Sequence, residues 1–146
     1  YECILQDNPL PASTGRVCHH PCQGRCRRNE VDDTVSTREV HRFVADYMLD
    51  NDKARKLRRV EPKKLKPTRK KIGIVGAGPA GLTAAYYLAR LGHKVAVYDA
   101  APSAGGMLTW GIPEFRLPKR VVDQEVDDFL KLFLVRGFGP RRERQN

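Results

Sequence analysis

The stretch Lys71–Asp99 reads KIGIVGAGPAGLTAAYYLARLGHKVAVYD, and its order of residue types decides the fold. KIGIV is a short apolar run with the length and β-branching of a strand. It ends directly in Gly76-Ala77-Gly78-Pro79-Ala80-Gly81, and LTAAYYLARLG follows as a strong helix former closed by Gly92. HKVAVYD then reads as a second strand ending in Asp99, 18 positions after the third glycine. A strand, a G-x-G-x-x-G turn, a helix and a terminal acid form the context that gives this motif meaning as a dinucleotide site. Gly76 is expected to make the tight turn, Gly78 to let the backbone approach a pyrophosphate, and Gly81 to let the helix pack on the strand. The helix N-terminus offers free N–H groups and the positive end of its dipole to phosphates. Asp99 is expected to accept hydrogen bonds from ribose hydroxyls, and Ala85 to keep the helix close to the sheet. The plainer alternative is an ordinary βαβ unit with glycine turns.

Immediately downstream, Ala104-Gly105-Gly106-Met107 follows the acid closely. A glycine pair there lets the backbone turn back over a cofactor, an arrangement more like flavoproteins than nicotinamide dehydrogenases. Trp110 and Phe115 are either cofactor neighbours or core aromatics, of which the latter is the commoner case.

Upstream, Cys18, Cys22 and Cys26 form a C-x3-C-x3-C run within nine residues. Three thiols so close make a poor disulfide framework and a good soft-metal site, because thiolates at short spacing converge on one centre. Zinc is open, with Cys3, His19 or His20 as a fourth ligand, but zinc ligands usually come as two separated clips. An iron–sulfur cluster fits better, with Pro21 and Gly24 supplying the turns, and free structural thiols are the plainer alternative. After the cysteines, Ser36 and Glu39 have the spacing of a capping box. Val40, Phe43, Val44, Tyr47 and Met48 then predict the apolar stripe of an amphipathic helix, with His41 off it and exposed. About fifty residues bury little core, so a metal centre would act as a staple.

Charge divides the chain in the same way. Of 146 residues, 27 are Lys or Arg and 17 are Asp or Glu, a net charge of +10. Residues 53–71 hold 11 basic side chains against Glu61 alone, so this one segment equals the whole excess. Pro62 and Pro67 lie in it, no aromatic is interleaved for base stacking, and it reads as an extended connector. Nucleic acid is therefore not the expected partner. No run of eighteen apolar residues occurs, so no membrane-spanning helix is expected, and the first residues do not read as a secretory leader. No nucleophile–base or paired-carboxylate constellation supports hydrolase chemistry.

Three segments together carry a family resemblance: NPLPASTGRVCHHPCQGRCRR, VGAGPAGLTAAYYLARLGHKVAVYDAAPSAGGM and WGIPEFRLPK, in that order. They resemble the glutamate synthase small (beta) subunit and its relatives, including the N-terminal part of dihydropyrimidine dehydrogenase, over roughly residues 5–130. The resemblance implies an α/β chain in which a small α-helical iron–sulfur domain (1–52) and a basic linker (53–71) precede an incomplete Rossmann-like FAD-binding domain (72–146). It implies [4Fe–4S] clusters, FAD and, in the full-length protein, NAD(P)H, with electrons passing to or from a partner subunit in the cytoplasm. Cys18, Cys22 and Cys26 match the family's second cysteine group, and Gly76 to Gly81 its FAD pyrophosphate loop. Asp99 stands where the family usually has Glu. Gly106, Met107 and Arg116 match positions around the flavin and its phosphates. Cys3 matches an ordinary helix position. The family's first cysteine group and its second glycine loop are absent, and residues 131–146 leave the pattern of a helix running into another strand. A truncated or frame-shifted reading accounts for both ends, so the chain is expected to be a fragment inactive alone. A non-catalytic relay or adaptor, and a basic zinc-containing nucleic-acid binder, are the alternatives.

Overall fold

The computed structural model describes residues 1–51, 54, 66–130 and 134–136. They fall into two compact units, Tyr1–Arg58 and Arg59–Asn146. Most of the basic run over 53–71 lies outside the described residues. Within them, residues 66–70 are exposed and in neither helix nor strand, and Lys71 opens a strand.

In the first unit, prolines at the first helical turn set the starts of two helices, where a missing N–H costs nothing. The helices are α1 (Glu2–Asp7), α2 (Pro11–Val17), the single turn α3 (Pro21–Gly24) and α4 (Thr37–Asp50), with a 3-10 turn at Arg27–Glu30 before α4. Pro21 and Gly24 thus belong to a helical turn, not to two separate loop turns. Leu5, Leu10, Ala12, Ala45 and Leu49 are buried here. The α2–α4 contact is close because Gly15 has no side chain: a Cβ there would lie 2.9 Å from the Arg42 Cα. Beside it the Arg16 guanidinium donates to the Asp46 carboxylate at 2.7 Å and to the Ala12 carbonyl at 3.1 Å. Gly15→Ala should therefore overpack this contact and cost about 1–3 kcal/mol. Urea unfolding of the full chain measures it, and an unchanged midpoint would refute the contact.

This docking also decides which side of α4 is covered. The expected apolar stripe is only partly buried: Val40, Phe43 and Tyr47 are exposed, whereas Ala45 and Leu49 face the core and His41 is half-buried rather than exposed. The Arg42 and Asp46 contacts turn that side of α4 toward α2, which rotates the larger apolar residues away. The capping box does not form either. Ser36 is the N-cap without a side-chain cap bond. Glu39 instead accepts from Gln23 Nε2 at 3.1 Å and from the Arg38 guanidinium.

The second unit is a parallel sheet in the order β1 (Lys71–Val75), β2 (Lys94–Tyr98), β3 (Leu134–Arg136). Helix α5 (Pro79–Arg90) links β1 to β2, as a parallel pair requires. Between β2 and β3 run the short α6 (Met107–Trp110) and α7 (Lys119–Leu130). Residues 134–136 therefore do continue the helix-to-strand pattern that the sequence there obscured. Leu82, Ala85 and Tyr86 of α5, Val97 of β2 and Val121 and Val122 of α7 are among the buried residues. Trp110 and Phe115 are not core aromatics: Trp110, the last residue of α6, is 59% exposed and Phe115, in the loop that follows, is 89% exposed.

Candidate dinucleotide loop and cysteine loop

At the C-terminal end of β1 the chain makes the turn that its glycines require. Gly76 has φ +102°, a left-handed conformation that side chains rarely adopt. Gly81 is required sterically, since a Cβ there would lie 1.9 Å from the Gly76 carbonyl oxygen. Gly78 differs. Its φ is −76°, and a Cβ would meet nothing closer than the Gly106 Cα at 3.9 Å, an ordinary contact. Among the described residues nothing requires glycine at this position. The missing Cβ leaves a bare backbone at the N-cap of α5, whose first N–H groups lack intrahelical partners. Pro79 and Ala80 are exposed, and Ala77 is buried.

Ala77 is held from both sides. Its N–H donates to Asp99 Oδ2 at 2.5 Å, and its carbonyl accepts from the Gly105 N–H at 2.8 Å. The other Asp99 oxygen accepts from the Ala101 N–H at 2.7 Å. The acid at the end of β2 thus ties the loop to the strand, and its oxygens retain lone pairs for further donors. Gly106 comes next to the loop: with φ +52°, it would place a Cβ 2.7 Å from the Gly78 Cα. Met107, 68% exposed, begins α6 there, and Arg116 is exposed in the loop before α7. The Ala77–Gly105 link is absent from the sequence reading, though the Gly105-Gly106 pair is its sign. A glycine loop that leads into a helix N-terminus fits a dinucleotide pyrophosphate.

In the first unit, Cys18 follows α2, Cys22 lies in α3 and Cys26 precedes the 3-10 turn. Cys18 and Cys26 are half-buried, Cys22 is exposed, and Cys3 is exposed on α1. His20 takes φ +46° and turns the chain between the first two cysteines. Among the described residues no three His, Cys, Asp or Glu side chains are gathered at one point as metal ligands. The chemistry of the donors nevertheless fits a thiolate-held cluster. All three are free thiols, and Cys18 Sγ accepts the His20 N–H at 3.3 Å. Backbone N–H groups, that of Val35 foremost and then those of Arg28 and Asn29, hold the Cys26 thiol below its usual range. Donors aimed at sulfur favour the anion that ligates iron. Arg38, 20 residues along the chain and marked by no motif, donates to the Cys18 carbonyl at 3.3 Å.

Comparison with known proteins bears on both loops. Residues 1–53 match the family described as dihydropyrimidine dehydrogenase domain II, 4Fe-4S cluster, and residues 74–124 match the NAD(P)-binding Rossmann-like domain. Two domain models thus match in succession, the cluster domain first and the Rossmann-like domain second. It is 44% identical over 128 residues to the NADPH-Fe(3+) oxidoreductase subunit beta of Geobacter sulfurreducens, covering 85% of this chain and 18% of that one. It is 40% identical over 126 residues to the glutamate synthase [NADPH] small chain of Bacillus subtilis, covering 86% of this chain and 24% of the relative. It is 39% identical over 127 residues to the NAD-dependent dihydropyrimidine dehydrogenase subunit PreT of Salmonella typhimurium, covering 86% and 29%. The chain thus spans less than a third of the length of each of these relatives. The resemblance read from the three sequence segments agrees with these matches. Among the described residues no helix is long and apolar enough to cross a membrane.

Proposed function

We propose that this chain is the cluster- and flavin-binding portion of an NAD(P)H-dependent oxidoreductase that exchanges electrons with a partner subunit. Residues 76–81 hold the pyrophosphate of FAD, Asp99 its ribose, and Cys18, Cys22 and Cys26 a [4Fe–4S] cluster. Gly106, Met107 and Arg116 lie toward the flavin and its phosphates. The observation that carries this reading is Gly78. Nothing among the described residues needs a glycine there, so its missing side chain serves a ligand that approaches the backbone.

When bound, FAD exchanges a hydride for single electrons and the cluster relays those electrons one at a time. The chain's own residues orient and select. The N–H groups at the start of α5 face the phosphates with the positive end of the helix dipole. The Asp99 carboxylate suits a ribose with a free 2′-hydroxyl and repels a 2′-phosphate, which supports FAD over NADPH at this loop. The NADPH in the names of several relatives then belongs to a second site. Those relatives are themselves named as subunits, which supports a partner for this chain too. The thiolate ligands need a reducing compartment, in keeping with the cytoplasm.

Anaerobic reconstitution of the full chain with iron and sulfide, followed by titration with FAD and NADPH, tests the reading. Brown protein with stoichiometric iron and sulfide, and FAD binding that NADPH does not displace, is the expected result. Stoichiometric zinc without iron, or NADPH bound more tightly than FAD, would overturn it.

A further inference from the structure

One conspicuous cation in the motif WGIPEFRLPK has no role in the site as described. Lys119 is the first residue of α7 and is half-buried. Its ammonium donates to the carbonyl of Leu108, at 3.2 Å, and to that of Ile112. Both acceptors belong to α6 or to the turn that leaves it. The last carbonyls of a helix have no partner within it, and a cation is the natural group to satisfy them.

The other end of α6 rests on the dinucleotide loop. Gly106 is its N-cap and lies against the Gly78 Cα. The preceding Gly105 N–H donates to the Ala77 carbonyl at 2.8 Å, and Thr109 Oγ1 donates to the Ala104 carbonyl at 3.1 Å. A four-residue helix cannot hold its own conformation, because nucleation costs more than one turn returns. Its position therefore depends on the burial of Leu108 and on what grips its two ends. At one end is the glycine loop. At the other is α7, seated in the core by Val121 and Val122, 2% and 0% exposed, with Leu117 fully buried just before it.

We infer that Lys119 is the positioning residue of the dinucleotide site, fastening α6 to α7 so that Gly106 is pressed on the Gly78 backbone. This rests on the reading that loop 76–81 holds FAD. Lys119 touches the frame, not the cofactor. Its loss frees α6, and the loop pays in binding the order that the frame had supplied in advance.

Trp110 ends α6 and is the chain's single tryptophan, so its fluorescence reports the clamp without any cofactor. In the full chain, Lys119→Met keeps the aliphatic stem and removes the ammonium. Trp110 anisotropy should fall and its acrylamide quenching rise. The FAD Kd should rise about tenfold, the scale of one hydrogen bond to a charged group. Lys119→Arg should restore most of both, with a thermal melt confirming that each variant is folded. Should Lys119→Met unfold, the milder Lys119→Gln carries the same expectations. Unchanged Trp110 signals, or changed signals with an unchanged FAD Kd, would overturn the assignment. Wild-type chain that bound no FAD would instead remove the site reading, and the role of Lys119 with it.

Discussion

Gly78→Ala should abolish dinucleotide retention while leaving the fold almost untouched. The added Cβ meets only the Gly106 Cα at 3.9 Å, and the backbone at φ −76° accepts alanine. The expected cost to stability is the loss of a good N-cap residue, no more than about 1 kcal/mol. The same methyl group stands where a pyrophosphate must approach the N-terminus of α5, so FAD affinity should fall about a hundredfold or more, as for close backbone contacts to a phosphate. Gly81→Ala is the contrast. Its Cβ would lie 1.9 Å from the Gly76 carbonyl, so helix and strand must separate, and both stability and binding should fail. Thermal melts beside FAD titrations of the two variants check this. Equal loss of stability in both would show that Gly78 is structural and would withdraw the main support for the site.

Replacing any one of Cys18, Cys22 or Cys26 by serine should remove most of the iron and sulfide from reconstituted protein, whereas Cys3→Ser should leave both unchanged. The three lie within one stretch of nine residues, and the Cys18 sulfur already accepts a backbone N–H. Cys3 is exposed on α1, apart in sequence from that stretch. The loss should extend beyond the cofactor. With so few buried apolar residues in this unit, the binding energy of the cluster is folding energy. The variants, and wild-type protein treated with a chelator, should unfold their first unit at lower urea than the second. Iron, sulfide and helical circular dichroism measured together decide it. Full iron content in the Cys22→Ser variant would exclude the assignment.

These two sites were legible in the sequence because each is written in a few adjacent residues. Glycines spaced for a turn, a helix start and an acid at the next strand end dictate a loop whatever surrounds it. Three cysteines within nine residues likewise declare a soft-ligand loop. Parallel pairing of β1 with β2 and the close packing at Gly81 follow from the same local chemistry. What was misread depends on neighbours distant in the chain. The apolar stripe of α4 was read correctly as a helix, but the covered face is the one that Gly15 and Arg16 select from another helix. Glu39 had the spacing of a capping box, yet Gln23 and Arg38 take its carboxylate. Composition favours Trp110 and Phe115 as core aromatics, yet the end of α6 and the loop after it leave them exposed.

The sequence by itself determined where the two proposed sites fall: a glycine loop between strand and helix and a run of three cysteines. Only the tertiary structure decided how the glycine loop is held. Asp99 grips Ala77 across 22 positions, and the Lys119 ammonium meets a carbonyl 11 positions before it. The physical reason is range. Turn geometry and ligand spacing are properties of adjacent residues, whereas a side chain's partner is set by which elements the packed core brings beside it.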